Sequence, residues 1–154
     1  MPIEDIFDGE GGESVLNKLN AAIAIVNNIV PAGAVVVAVP FAFSDETTAL
    51  TVDTGKITFR MPFAITVTEV RASLTVAGTT SGVTTFDINQ GGTSILSTKL
   101  TIDYGDTTSV GADTPAVIST SALTDNAEIT VDVDVITGGA TEAGGKIYLI
   151  GTLV

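Results

Sequence analysis

Without a histidine or a cysteine anywhere in the chain, chemistry would have to rest on carboxylates, hydroxyls, lysine or tyrosine. Thiol catalysis, zinc-finger sites and Ser-His-Asp triads are excluded, and the commonest metal ligand is missing. Asp132 and Asp134 lie two apart in Ile129-Thr-Val-Asp-Val-Asp-Val135, so on a strand they face the same way. Paired carboxylates can work as acid and base on a glycosidic bond. Their setting, strict alternation with Val131, Val133 and Val135, reads instead as the solvated face of a half-buried strand. Asp103-Tyr-Gly-Asp106 falls among turn residues at a strand end and reads as a turn. Asp87-Ile-Asn-Gln-Gly opens like a calcium loop but lacks the further carboxylates and the closing Glu. Gly9-Glu-Gly-Gly precedes the one expected helix, where a phosphate cradle would sit, but its acidic neighbours repel phosphate. A sugar-binding face is poorly supplied, with no Trp and only Tyr104 and Tyr148. Phe41, Phe43, Phe59 and Phe63 sit in apolar runs that suit a core. The chain is expected to be no enzyme and to hold no cofactor or metal.

The elements that position these residues are set by composition and pattern. A length of 154 residues suits one domain with an extension. Eighteen Asp and Glu against six Lys and Arg give a net charge of −12, which opposes nucleic-acid binding. Only 16% of residues are charged and the mean hydropathy is +0.49, more apolar than one small core readily hides. Partner subunits or a membrane must take the excess. The acidic start has no basic region ahead of an apolar core, so no signal peptide is expected.

Met1 to about Ser14 reads as an acidic arm, anchored by Ile3, Ile6 and Phe7. Ser14 is a helix N-cap and Pro31 with Gly33 a helix stop. Between them Leu16, Leu19, Ile23, Val26 and Val30 have the three-four spacing of a coiled-coil seam over about two heptads. That stripe suits either self-association or packing on the chain's own domain. The uncharged run Ala21–Phe43 is long enough to span a bilayer, but Asn27, Asn28, Pro31, Gly33 and Pro40 interrupt it. The better parse is helix, Pro-Gly break, then a buried strand over Ala34–Val39, with no membrane contact.

From Thr47 onward short β-type runs alternate with turn residues. They are Lys56–Arg60, Ala64–Val76, Thr84–Ile88, Ser94–Ser97, Lys99–Ile102, Pro115–Ile118, Ile129–Val135 and Ile147–Ile150. The apolar phase of Ala64–Val76 slips between Val67 and Val70, which predicts a β-bulge. About seven to nine such strands predict a mainly β protein, an antiparallel β-sandwich of jelly-roll-like form. The expected division is residues 1–46 as arm, helix and docking segment, and 47–154 as sandwich.

Several blocks in the later part resemble a module of tailed-bacteriophage structural proteins. They are Gly55-Lys-Ile-Thr-Phe-Arg-Met-Pro-Phe-Ala-Ile-Thr-Val-Thr-Glu-Val-Arg-Ala-Ser-Leu74, Asp87-Ile-Asn-Gln-Gly-Gly-Thr-Ser-Ile-Leu-Ser-Thr-Lys-Leu-Thr-Ile-Asp103, Ala127-Glu-Ile-Thr-Val-Asp-Val-Asp134 and Lys146-Ile-Tyr-Leu-Ile-Gly-Thr152. The likeness covers about two thirds of the chain, and the order of blocks carries it more than any one block. It implies a virion structural protein, usually trimeric, found on tail fibres or head decorations.

Resemblance and composition together lead to the expectation of a capsid decoration (cement) protein. It would be a homotrimer on the outer capsid surface of the virion, contacting the major capsid protein and no nucleic acid. Leu16, Leu19, Ile23, Val26 and Val30 would form the subunit interface, and Ile3, Ile6 and Phe7 would dock on the capsid. The alternative is a tail-fibre or head-fibre component that touches the host surface.

Overall fold

Period-two alternation becomes strand after strand in the computed structural model, which describes residues 35–154. The arm and the helix expected from Ser14 lie outside the described residues. Among the described residues eleven strands follow one another: β1 Val36–Ala42, β2 Asp53–Arg60, β3 Ile65–Ser73, β4 Val83–Gln90, β5 Thr93–Ser94, β6 Leu96–Thr98, β7 Leu100–Asp103, β8 Val117–Ile118, β9 Ala122–Leu123, β10 Glu128–Val135 and β11 Lys146–Leu153. Among the described residues no helix is long and apolar enough to cross a membrane.

Two antiparallel sheets pack on one another. One has the order β1-β11-β3-β9; the other runs β2-β10-β4, with β5 and β7 sharing the far edge of β4. The short β6–β8 pair stands apart. The early and late strands alternate between sheets, so residues far apart in sequence meet. Ile65, Val67, Ile147 and Leu149 point inward from the first sheet, and Phe86, Ile88, Ile129, Val131 and Val133 from the second, all of them buried. Each fully buried side chain of this size contributes about 1.5–3 kcal/mol relative to exposure. Aromatic contacts add to the seal, Phe43 meeting Phe86 edge-on at 5.3 Å and Phe41 tilted against Phe59 at 4.2 Å.

The phase slip in the third strand is a β-bulge. Ile150 pairs with Glu69 and Gly151 with Val67, so Thr68 has no partner of its own on β11. At this point the strands run so close that a Cβ on Gly151 would lie 2.3 Å from the Thr66 carbonyl oxygen. Only glycine fits there. The β4–β5 hairpin turns on Gly91 and Gly92, with φ of 57° and 79°, the geometry of a two-residue type I′ turn.

The strand expected to be buried over Ala34–Val39 is corrected by the structure. Among the described residues β1 lies at the edge of its sheet, paired with β11 alone. Val37, Val39 and Phe41 pack on the core, while Val36, Ala38, Pro40 and Ala42 are exposed, Val36 by 68%. A run without a polar phase predicts burial on both faces, but the sheet supplies cover for one. The compact unit formed by the described residues begins at Val35.

Candidate interaction surface

The paired carboxylates of β10 do face the same way, and each is committed to different partners. Asp132 Oδ1 accepts a hydrogen bond from the Gly55 N–H at 2.6 Å, and its Oδ2 accepts from Asn89 Nδ2 at 2.9 Å. Asp134 Oδ2 takes a bond from Lys99 Nζ at 2.8 Å, and the same ammonium lies 3.2 Å from Asp87 Oδ2. Asp134, then Asp87, holds the Lys99 amine above its ordinary pKa against the opposing effect of burial. Asp87 is nearly buried and also accepts from Ser94 Oγ at 2.6 Å. The segment read as the start of a calcium loop is thus the body of strand β4. Among the described residues no cluster of three acidic groups is arranged to hold a metal ion. The arrangement ties β2, β4, β5 and β10 together through polar contacts on the sheet's outer face.

Asp103 and Asp106 close a turn. The Asp106 N–H donates to the Asp103 carbonyl at 3.1 Å, and Gly105 at φ 83° supplies the left-handed third position of a type II turn. Asp45 forms a tighter local knot, its Oδ1 accepting from the N–H groups of Thr48 at 2.6 Å and Thr47 at 2.9 Å. Those backbone bonds hold its carboxyl down at about 2. Neighbouring Glu46 is lowered by Lys146 at 2.7 Å and by the Thr75 hydroxyl.

Glu142 has no exposed surface. Its Oε1 accepts from Thr137 N at 2.7 Å and Thr84 Oγ1 at 2.9 Å, whereas Oε2 and the Thr137 hydroxyl have no partner. Burial opposes its ionisation, yet the hydrogen bonds from Thr137 and Thr84, with those of the backbone, outweigh it and keep its pKa below the usual value. Sequence reasoning missed this residue because a lone Glu in the Gly-rich stretch after Thr137 belongs to no periodic pattern.

Every lysine and arginine among the described residues has a carboxylate partner within 4 Å: Lys56 with Asp53, Arg60 with Glu128, Arg71 with Glu69, Lys99 with Asp87 and Asp134, and Lys146 with Glu46. The surface is therefore acidic with its positive charge already neutralised. One side departs from this character. On the outer face of the first sheet, Ala38 pairs across with Ile150 and Pro40 with Tyr148, and beyond them lie Glu69 and Arg71. Arg71 makes a two-pronged contact with Glu69, at 2.6 and 2.8 Å. Two clefts, of about 470 and 390 Å³, flank the exposed Val110 and share Arg71 in their linings. The smaller includes Ala38, Tyr148 and Ile150.

The interface residues expected from the sequence, Leu16, Leu19, Ile23, Val26 and Val30, lie outside the described residues. So do the docking residues Ile3, Ile6 and Phe7. The apolar outer face of β1 and β11 was not foreseen as a contact surface. The signal for it was the uncharged run that continues past Pro31 into β1. In comparison with known proteins, the chain matches no family model, no curated protein and no solved structure.

Proposed function

We propose that the chain is a structural protein of a tailed-bacteriophage virion, a trimeric decoration protein that stabilises the outer capsid surface. The strand order supports a jelly-roll reading of the sandwich, with the first strand beside the last and consecutive early strands in opposite sheets. The observation that carries the proposal is how the polar groups are used. The carboxylates that could have done chemistry in β4 and β10 are tied into strand-to-strand contacts, and every described cation is neutralised. Such a surface suits persistence and contact with protein rather than with DNA, whose phosphates an acidic chain repels. The resemblance to phage structural modules, borne by residues from Gly55 to Thr152, supports the same reading.

Electron microscopy of virions labelled with an antibody to this protein tests it. Label over the outer face of heads is the expected result. Label confined to tails or fibres would move the role to the fibre alternative, and unlabelled particles would overturn both. A chain lacking residues 1–12, and with them Ile3, Ile6 and Phe7, is expected to lose binding to undecorated heads. Normal decoration by that chain would remove the docking role of the arm.

A further inference from the structure

We propose that the outer face of β1, with Tyr148 and Ile150 of β11 beside it, is a contact surface for a second copy of this chain. The inference deepens the trimer reading above and rests on it for the number of copies, but not for the location of the contact.

β1 is apolar on both faces and, among the described residues, covered on one. Val37, Val39 and Phe41 are packed on the core, while Val36, Ala38 and Pro40 stand bare and continue into Tyr148 and Ile150 across the strand pair. Isolated exposed hydrophobes need no explanation, but a contiguous apolar face on a protein surface marks a contact site. The occupant is indicated by charge. Each copy carries −12, so a contact between copies is penalised wherever carboxylates are brought together. From Leu19 to Ser44 no residue is charged, and β1 lies within that run. Two copies can meet on this face without setting like charges against one another.

The backbone indicates how the faces meet. The Val35 carbonyl accepts from the Leu153 N–H, and the Phe43 N–H donates to the Gly145 carbonyl. With unbroken register between them, residues 36, 38, 40 and 42 turn their backbone groups away from β11. Pro40 has no N–H to offer there, which blunts continuous strand addition along the edge. Contact is thus through side chains on the sheet face.

Sedimentation equilibrium of the full chain tests the inference. Val36→Asp with Ala38→Asp alters only exposed side chains, so the unfolding temperature should hold within a few degrees. Self-association is expected to weaken at least tenfold. As the chain has no cysteine, Ala38→Cys supplies a single thiol, expected to cross-link copies through a short bismaleimide. Thr130→Cys, on the outer face of the other sheet, is not. Unchanged association of the double variant together with no cross-linking through position 38 would overturn the inference. Ile23→Asp with Val26→Asp separates it from the seam. Dissociation by the seam variant alone leaves the trimer reading standing and removes this one. Dissociation by the face variant alone keeps this inference and removes the helical seam as the subunit interface, and a wild-type chain that stays monomeric at high concentration removes both readings.

Discussion

Asp87 and Asp132 stand directly opposite one another on β4 and β10. Two carboxylates placed this way would repel, but Lys99 and Ser94 hold the first while Gly55 and Asn89 hold the second. Removing Lys99, which Asp87 shares with Asp134, exposes the cost. Lys99→Met should destabilise the sandwich by about 1–2 kcal/mol, since it leaves the nearly buried Asp87 with a charge and no counter-charge. Asp134→Asn, at a more exposed partner, should cost under about 1 kcal/mol. Urea unfolding of the two variants checks the order.

Gly151→Ala should cost about 1–3 kcal/mol, because the new methyl group would meet the Thr66 carbonyl across the bulge. Nothing but backbone lies in its way, so no side-chain rotation relieves the contact. An Ala variant as stable as the parent would mean that the bulge is looser than its geometry.

Glu142 offers a contrast between two substitutions. Glu142→Leu leaves the donors of Thr84 and Thr137 unsatisfied in the interior and should cost about 2–3 kcal/mol. Glu142→Gln keeps an acceptor oxygen for both and loses only the ionised form that the fold favours, so its cost should be smaller, about 1 kcal/mol. Thermal unfolding near neutral pH distinguishes them.

Acid should weaken the fold through a specific window. The Asp45 carboxyl is held at about 2, below its ordinary 3.8. Its ionised form is therefore the one that the folded chain favours. The stabilisation is complete above pH about 4 and is lost as pH falls towards 2. Asp45→Asn retains an acceptor for Thr47 and Thr48 but cannot titrate. The unfolding temperature of that variant should fall less steeply between pH 4 and 2 than that of the parent. Glu46 and Glu69 are also lowered, by Lys146 and Arg71, so some slope should remain.

Much of the sandwich was legible because a half-buried strand writes its period into the sequence. Ile129–Val135 shows it most plainly, and the slip between Val67 and Val70 located the bulge at Thr68. Ala122–Leu123 was not legible, since a two-residue strand shows no alternation. The outward direction of Asp132 and Asp134 could be read locally. That Asp87 faces Asp132 could not, because register across a sheet is set by distant contacts. β1 was misjudged for a related reason: without a polar phase, Val36 and Val37 look alike, and only the sheet order tells which one is bare.

The pairing of Val36 with Thr152 has a kinetic consequence. During synthesis β1 emerges long before β11, its neighbour in the sheet among the described residues, and it must wait, greasy on both sides, until nearly the whole sandwich has left the ribosome. Contacts of such high contact order make folding slow, and the waiting strand is the segment most exposed to aggregation. Moving β1 behind β11 by circular permutation should therefore speed refolding while leaving the native architecture intact.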